Sequence, residues 1–378
     1  MTIGIDIRVL GSKTRSGIEE YTENLLSHLL PLDKGIRFKL FFSSKKHELS
    51  DYDWLRLPNV ELHKFNISNK LLLASSRFLG GSQVDKMIEG ADVFFSPHFL
   101  LTSLSANCRR VITFHDLSYV HFPEFFSWRR NLWHGIEMRP VWQSKFTDKI
   151  IAVSESTKND LVDNYNVDPS KIRVIYSGIS PEIKRPDEEE LEAFRTKNRL
   201  PKRFILFLGK LEPRKNITGI VKAFHIIKQQ NNSEDLKLVI AGSRGWLDGG
   251  IFEEVRHTNH KNDIRFEEYV SDSERKFYYS LASVFVYPSF FEGFGFPPLE
   301  AMACGTPVVT SFNSSLPEVV GNGAILVDPH NLDNLVSSIR SILESPISKS
   351  HLSYKGSGQI TKFSWSKTAS ETLEYLIK

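Results

Sequence analysis

Apolar residues recur along this chain in two alternating rhythms, a pattern that predicts parallel strands separated by helices. Short β-branched and aromatic runs predict strands at Ile3–Val9, Phe38–Phe42, Val93–Phe95, Arg110–Phe114, Ile150–Val153 and Arg173–Tyr176. Between the first two, Ile18, Tyr21, Leu25, Leu26 and Leu29 fall on one stripe at helical spacing, so Ile18–Leu30 reads as an amphipathic helix. The texture then changes. Pro181–Lys202 is rich in proline and charge, with Asp187-Glu188-Glu189-Glu190 at its centre, and reads as a solvated face or linker. The rhythm restarts at Phe204–Leu208, Lys237–Ala241, Val284–Tyr287, Pro307–Thr310 and Ala324–Val327. Alternation of this kind builds α/β domains with doubly wound sheets. Two are expected, residues 1–180 and 181–360, with a helical segment at 361–378 packing back on the first. Ligands of open α/β sheets bind beyond the carboxyl ends of the strands, so two such sheets facing each other place a site in the cleft between them.

Composition narrows the function classes. A chain of 378 residues suits two domains, and 40% hydrophobic with 12% aromatic content excludes a largely disordered one. A net charge of +3 argues against a dedicated nucleic-acid binder. Cys108 and Cys304 alone make neither a disulfide framework nor a four-ligand zinc site, and both read as small buried residues. No apolar run reaches the ~18–20 residues of a membrane span. The first residues, Met1 to Arg8, carry charges where a signal peptide needs an apolar stretch, so a cytoplasmic location is expected.

The first βα turn, Gly11-Ser12-Lys13-Thr14-Arg15-Ser16-Gly17, completes neither a dinucleotide fingerprint nor a P-loop. Gly17 still has phosphate-binding chemistry, a bare backbone at a helix N-terminus, although a turn glycine would look the same. The strongest segment runs from Tyr287 to Pro307. It contains Glu292-Gly293-Phe294-Gly295 and then Pro297-Pro298-Leu299-Glu300, following a predicted strand. Its glycines admit a ligand close to the backbone. Pro297 suits a first helical turn, and Glu300 is expected in that turn facing the cleft. Two carboxylates eight residues apart can accept hydrogen bonds from hydroxyls of two different sugars. In Gly209-Lys210-Leu211-Glu212-Pro213-Arg214-Lys215-Asn216, three cations at a strand end can meet a diphosphate, or form a solvated loop. His115, after Arg110–Phe114, either bonds a sugar hydroxyl and shuttles a proton, or is structural beside Asp116. Asp51-Tyr52-Asp53 matches a metal-binding D-x-D, yet Ser50 and Asp51 read better as a helix N-cap.

Together these segments resemble the retaining glycosyltransferases of family 4, which have the GT-B fold. The match runs from Gly4-Ile5-Asp6-Ile7-Arg8 and Gly17-Ile18-Glu19-Glu20-Tyr21, through His115-Asp116-Leu117, to Glu292 and Glu300, the family's E-x7-E pair. The resemblance implies transfer of a sugar from a nucleotide-sugar with retention of anomeric configuration and no metal or other cofactor. It implies that Glu292 contacts the donor sugar, Glu300 the ribose, and Lys215 the diphosphate. Phe294 and Gly295 would offer backbone groups, Gly17 would let the first domain close over the phosphates, and His115 would contact the sugar. Lys210 stands where many members have arginine, which keeps the charge without the bidentate fork. Glu268 precedes Tyr269 where glycine is common, in the loop expected near the base. Glu212–Asn216 and Ala241–Leu247 resemble bacterial mannosyltransferases of surface-polysaccharide assembly, which points to GDP-mannose, with a UDP-sugar or a non-catalytic nucleotide-sugar-binding subunit as the alternatives. The acceptor implied is a glycan or a lipid-linked saccharide. Phe125-Phe126-Ser127-Trp128-Arg129-Arg130-Asn131-Leu132-Trp133-His134 mixes aromatics with paired arginines, and suits either an anionic membrane surface or core packing.

Overall fold

The computed structural model describes all residues except 12–16, 46, 79, 80, 82, 134, 136, 137 and 230–232. The chain divides into two compact units. The first comprises residues 1–117, 128–178 and 364–378, the second residues 118–127 and 179–363. Ser12–Ser16 of the first βα turn and His134 lie outside the described residues.

The first unit is built on a parallel sheet of β1 (Thr2–Asp6), β2 (Arg37–Ser43), β3 (Val60–Phe65), β4 (Val93–Ser96), β5 (Arg109–Phe114), β6 (Lys149–Ala152) and β7 (Ile172–Val174). Their spatial order is β3-β2-β1-β4-β5-β6-β7. The second holds β8 (Phe204–Leu208), β9 (Lys237–Ala241), β10 (Ile264–Glu267), β11 (Val284–Tyr287), β12 (Val308–Ser311) and β13 (Ala324–Val327), ordered β10-β9-β8-β11-β12-β13. Both orders reverse beside their first strand, as in a doubly wound fold, and the alternating pattern predicts this class. Central strands are apolar on both faces because helices cover both: all five residues of β8 are buried. Two edge strands escape the pattern reading. In β3 and β10 apolar residues alternate with Glu61, His63, Lys64, Arg265 and Glu267, and no residue of either is fully buried.

Two local expectations are corrected. Asp187–Glu190 is not a linker but a helix start. Asp187 caps the helix Glu188–Asn198 by accepting from the Glu190 N–H at 2.8 Å, and the three glutamates of its first turn complement the positive end of the dipole. Ser50 and Asp51 do not cap a helix. The short 3-10 turn Asp53–Arg56 begins after Tyr52 without a side-chain cap, and Asp51 and Asp53 both pair with Arg56 on the surface. Cys108 and Cys304 are free and buried. The last helix, Trp365–Ile377, packs on the helix Gly17–Leu29 within the first unit. Trp365 there meets the Tyr21 ring edge-on at 5.8 Å, and Tyr375 Oη donates to the Lys171 carbonyl at 2.7 Å.

Candidate active site

Strand adjacency decides which loops meet. β8 and β11 pair through Val284↔Ile205 and Phe285↔Leu206, where the order of the second sheet reverses. The segments leaving their carboxyl ends, 209–216 and 288–295, therefore run side by side at the position where doubly wound sheets bind ligands. The turns after β8 and β9 also touch backbone to backbone. A Cβ on Gly242, whose φ is +138°, would lie 2.0 Å from the Gly209 carbonyl oxygen, so only glycine fits.

In this corner the predicted cations and one predicted carboxylate close into a buried network. Lys215 Nζ donates to Glu292 Oε1 at 2.6 Å and to Tyr287 Oη at 2.7 Å. Ser289 Oγ donates to the same Glu292 oxygen at 2.6 Å. Arg214 Nη1 donates to Glu292 Oε2 at 3.3 Å and to the Phe291 carbonyl at 2.8 Å, while its Nη2 holds Glu212 Oε1 at 2.9 Å. Glu212, Lys215 and Glu292 are all buried. Burial alone would raise the Glu292 carboxyl, but Arg214 and Lys215 outweigh it and hold the group at about 2. Burial lowers the Lys215 ammonium from its usual range, and repulsion from Arg214 adds to this against Glu292 and Glu212. Lys210 differs: it is exposed, its ammonium 5.4 Å from the centre of the Trp246 ring.

The glycine-rich loop is pinned by serines. Ser314 Oγ accepts from the Glu292 N–H at 2.9 Å, and Ser315 Oγ donates to the carbonyls of Glu292 and Phe294, each at 2.9 Å. Gly293, Phe294 and Gly295 are buried, and Phe294 meets Phe363 edge-on at 5.7 Å. Gly295 sits at φ +103° before the helix Phe296–Ala303, and a Cβ there would press to 2.8 Å of Leu316.

Glu300 is the fifth residue of that helix, one turn further in than expected, and it is buried. It accepts from Arg275 Nη1 at 2.7 Å and from Tyr279 Oη at 2.8 Å. Both donors come from the helix Asp272–Leu281, one turn apart on one face, which Ser271 and Glu274 close with a capping box. Burial and the neighbouring Glu300 keep the Tyr279 hydroxyl well above its usual range, hence protonated and donating. Tyr269 precedes this helix and is 69% exposed. Arg275, Tyr279, Tyr287, Ser289 and Ser315 are site residues that the sequence reading missed. Only the four-residue spacing of Arg275 and Tyr279 offered a signal.

Gly17 and His115 stand in the first unit. Gly17 opens its helix and is exposed. His115 Nε2 lies 2.8 Å from the Pro97 carbonyl, which can only accept, so Nε2 carries the proton. Burial pulls the imidazole down to about 4 against the opposing Pro97 hydrogen bond, and the ring is neutral at pH 7.

The aromatic segment at 125–134 divides. Phe125 and Phe126 fall in the second unit, where Phe125 packs on Phe290 at 5.3 Å and Phe126 stacks on Trp246 at 5.7 Å. Trp246 Nε1 also donates to the Phe125 carbonyl at 2.6 Å, and His121 stacks on Phe291 at 5.0 Å. Residues 118–127 thus brace the loop that carries Glu292. Trp133 packs on Phe99 in the first unit, whereas Trp128 is 70% exposed. Core packing takes three of the four aromatics.

Two family models match the chain, Glycosyltransferase Family 4 over residues 15–183 and Glycosyl transferases group 1 over residues 188–359. The O-antigen chain mannosyltransferase B of Escherichia coli is 31% identical over 282 residues, covering 74% of this chain and 73% of that protein. A sucrose-phosphate synthase from Thermosynechococcus elongatus shares the fold with a TM-score of 0.78 at 20% identity, covering 99% of this chain and 98% of its own. Anabaena Alr3699/HepE, solved in complex with UDP-glucose, has a TM-score of 0.71 at 17% identity and covers 100% of both chains.

Proposed function

Because the chain belongs to the family 4 glycosyltransferases with the GT-B fold, we propose that it transfers mannose from GDP-mannose to a glycan or lipid-linked saccharide, with retention and without a metal ion. The observation that carries this reading is the buried contact of Lys215 and Arg214 with Glu292 at the reversal point of the second sheet. The choice of mannose and its base is supported by the likeness to the E. coli mannosyltransferase.

In this reading the donor diphosphate lies against Lys210, Arg214 and Lys215 and the N-terminus of the helix Ile217–Lys228. An ammonium has three donors; Glu292 and Tyr287 take two from Lys215, which leaves the third for a phosphate oxygen. Glu292 orients the sugar, and Glu300, steadied by Arg275 and Tyr279, accepts from the ribose hydroxyls. Tyr269 lies beside the base. Gly293, Phe294 and Gly295 bring backbone against sugar and phosphate. The bond from the anomeric carbon to the phosphate oxygen breaks as the acceptor oxygen bonds to the same face. The departing phosphate takes the acceptor's proton. The positive charges supply what a metal ion would otherwise provide, stabilising the negative charge that grows on the leaving group.

Thermal unfolding with a panel of nucleotide-sugars tests the donor. GDP-mannose at 100 times its Kd should add about 2.7 kcal/mol of stability. Product NMR then reads the anomeric configuration. Selective stabilisation by a UDP-sugar would move the reading to the UDP-dependent alternative. Binding without release of nucleotide to any acceptor would reduce it to a nucleotide-sugar-binding subunit, and an inverted product would remove the same-face mechanism.

A further inference from the structure

The helix Pro140–Phe146 of the first unit is inside out. Its buried positions are Pro140, Gln143 and Ser144, whereas Val141 is 43% and Phe146 66% exposed. At 100° per residue, Val141, Lys145, Trp142 and Phe146 span an arc of about 140°, and the three buried residues occupy the opposite side. A surface helix ordinarily turns its apolar stripe inward. Hydrogen bonds lock the reversed orientation: Gln143 Nε2 donates to the Phe99 carbonyl at 2.7 Å and to the Met138 carbonyl at 2.6 Å.

The outward face is also organised. The Trp142 and Phe146 rings lie 5.1 Å apart, and the Arg139 guanidinium sits 5.4 Å from the Trp142 ring centre. Lys145 is exposed one turn from Val141. The preceding helix, Trp128–Leu132, buries none of its residues and holds Arg129 5.3 Å over the exposed Trp128 ring. Across residues 128–146 the sequence has four cations, Arg129, Arg130, Arg139 and Lys145, against one acid, Glu137.

We propose that the Val141–Phe146 face binds an anionic lipid surface. Trp142 and Phe146 insert at headgroup depth while Arg139 and Lys145 pair with lipid phosphates. Long cationic side chains suit this arrangement because their stems lie along apolar surface while their heads stay among the headgroups. A protein partner fits less well, since interface cores are depleted in charge and here cations alternate with the aromatics. The face differs from the segment singled out in the sequence: Phe125, Phe126 and Trp133 are packed away, and the lipid-facing aromatics lie on a later helix. The inference goes beyond sugar transfer and is tested by binding alone, so its failure leaves the donor reading untouched.

The experiment is co-sedimentation of the full chain with vesicles of phosphatidylcholine, with and without phosphatidylglycerol. The wild type should pellet with the anionic vesicles and release as salt rises. Arg139→Glu with Lys145→Glu should weaken binding about thirtyfold, about fivefold for each lost cation. Trp142→Ser with Phe146→Ser should weaken it about tenfold or more while keeping the salt dependence. Unchanged thermal melting shows that the variants fold; if a double variant melts early, Phe146→Ser and Lys145→Glu singly carry the same comparison. Wild-type protein left in the supernatant overturns the proposal, and so does binding that neither pair of substitutions weakens. Self-association abolished by Phe146→Ser, without vesicle binding, would assign the face to a second copy of this chain and also overturn it.

Discussion

Lys215 Nζ and Glu292 Oε1, 77 residues apart in the chain, meet at 2.6 Å beneath the reversal point of the second sheet. Each is buried, so each depends on the other for its charge. Removing one partner of a buried pair leaves an uncompensated ion and costs about 3–5 kcal/mol, whereas replacing both with uncharged residues is often close to neutral. Glu292→Gln leaves two buried cations facing each other, Lys215 and Arg214. Urea unfolding should show it about 3 kcal/mol less stable, and adding Lys215→Met should restore most of that loss. Additive losses in the double variant would mean that the pair is not coupled.

The two carboxylates of the E-x7-E pair should fail differently. Glu292 is held by cations proposed to face the leaving group, so Glu292→Ala should fall mainly on kcat. Glu300 is held by Arg275 and Tyr279, away from them, and Glu300→Ala should fall mainly on KM. Tyr279→Phe keeps the ring and removes one donor to Glu300, so a milder rise in KM is expected. Steady-state kinetics with the preferred donor separate these outcomes, and equal kcat losses in both alanine variants would contradict the division of roles.

What was legible in the sequence follows from where each signal is stored. Interior strands such as β8 are apolar on both faces, so Phe204–Leu208 announces itself, whereas edge strands carry charge and β3 and β10 pass unnoticed. Glu292 and Glu300 are visible because their spacing lies within one local segment. Their partners arrive from elsewhere in the chain. Tyr279 reaches Glu300 from a different helix, and nothing near residue 300 announces it. Phe125 was ambiguous for the same reason, since Trp246, which donates to its carbonyl, is 121 residues away. Side-chain spacing reads as local pattern; tertiary pairing does not.

Asp51 and Asp53 should be dispensable. Both pair with the exposed Arg56, and surface pairs of this kind are worth about 0–1 kcal/mol. Among the described residues, no three His, Cys, Asp or Glu side chains come together to hold a metal ion. Asp51→Ala with Asp53→Ala should therefore shift stability by less than about 1 kcal/mol and leave transfer rates intact, and transfer should continue in EDTA. A strict Mn²⁺ requirement that the double variant abolishes would overturn the metal-free reading.

His115 gives a pH signature with a definite sign. Its imidazole is held at about 4 in the folded chain, with Nε2–H committed to the Pro97 carbonyl, against a model value of 6.5. Between these values the unfolded chain binds a proton that the folded chain does not, so stability rises with pH across that window. The full shift corresponds to at most about 3 kcal/mol, present above pH 6.5 and lost progressively as pH falls toward 4. His115→Gln keeps a donor for Pro97 but does not titrate. It should flatten this part of the stability profile while the wild type weakens on acidification. Because the ring is neutral at working pH and its remaining nitrogen, Nδ1, can only accept, it suits taking a hydrogen bond from a sugar hydroxyl rather than giving up a proton. The kcat profile should then show no step near 6.5 that disappears in His115→Gln. A step of that kind would make His115 a proton donor and rule out the acceptor role.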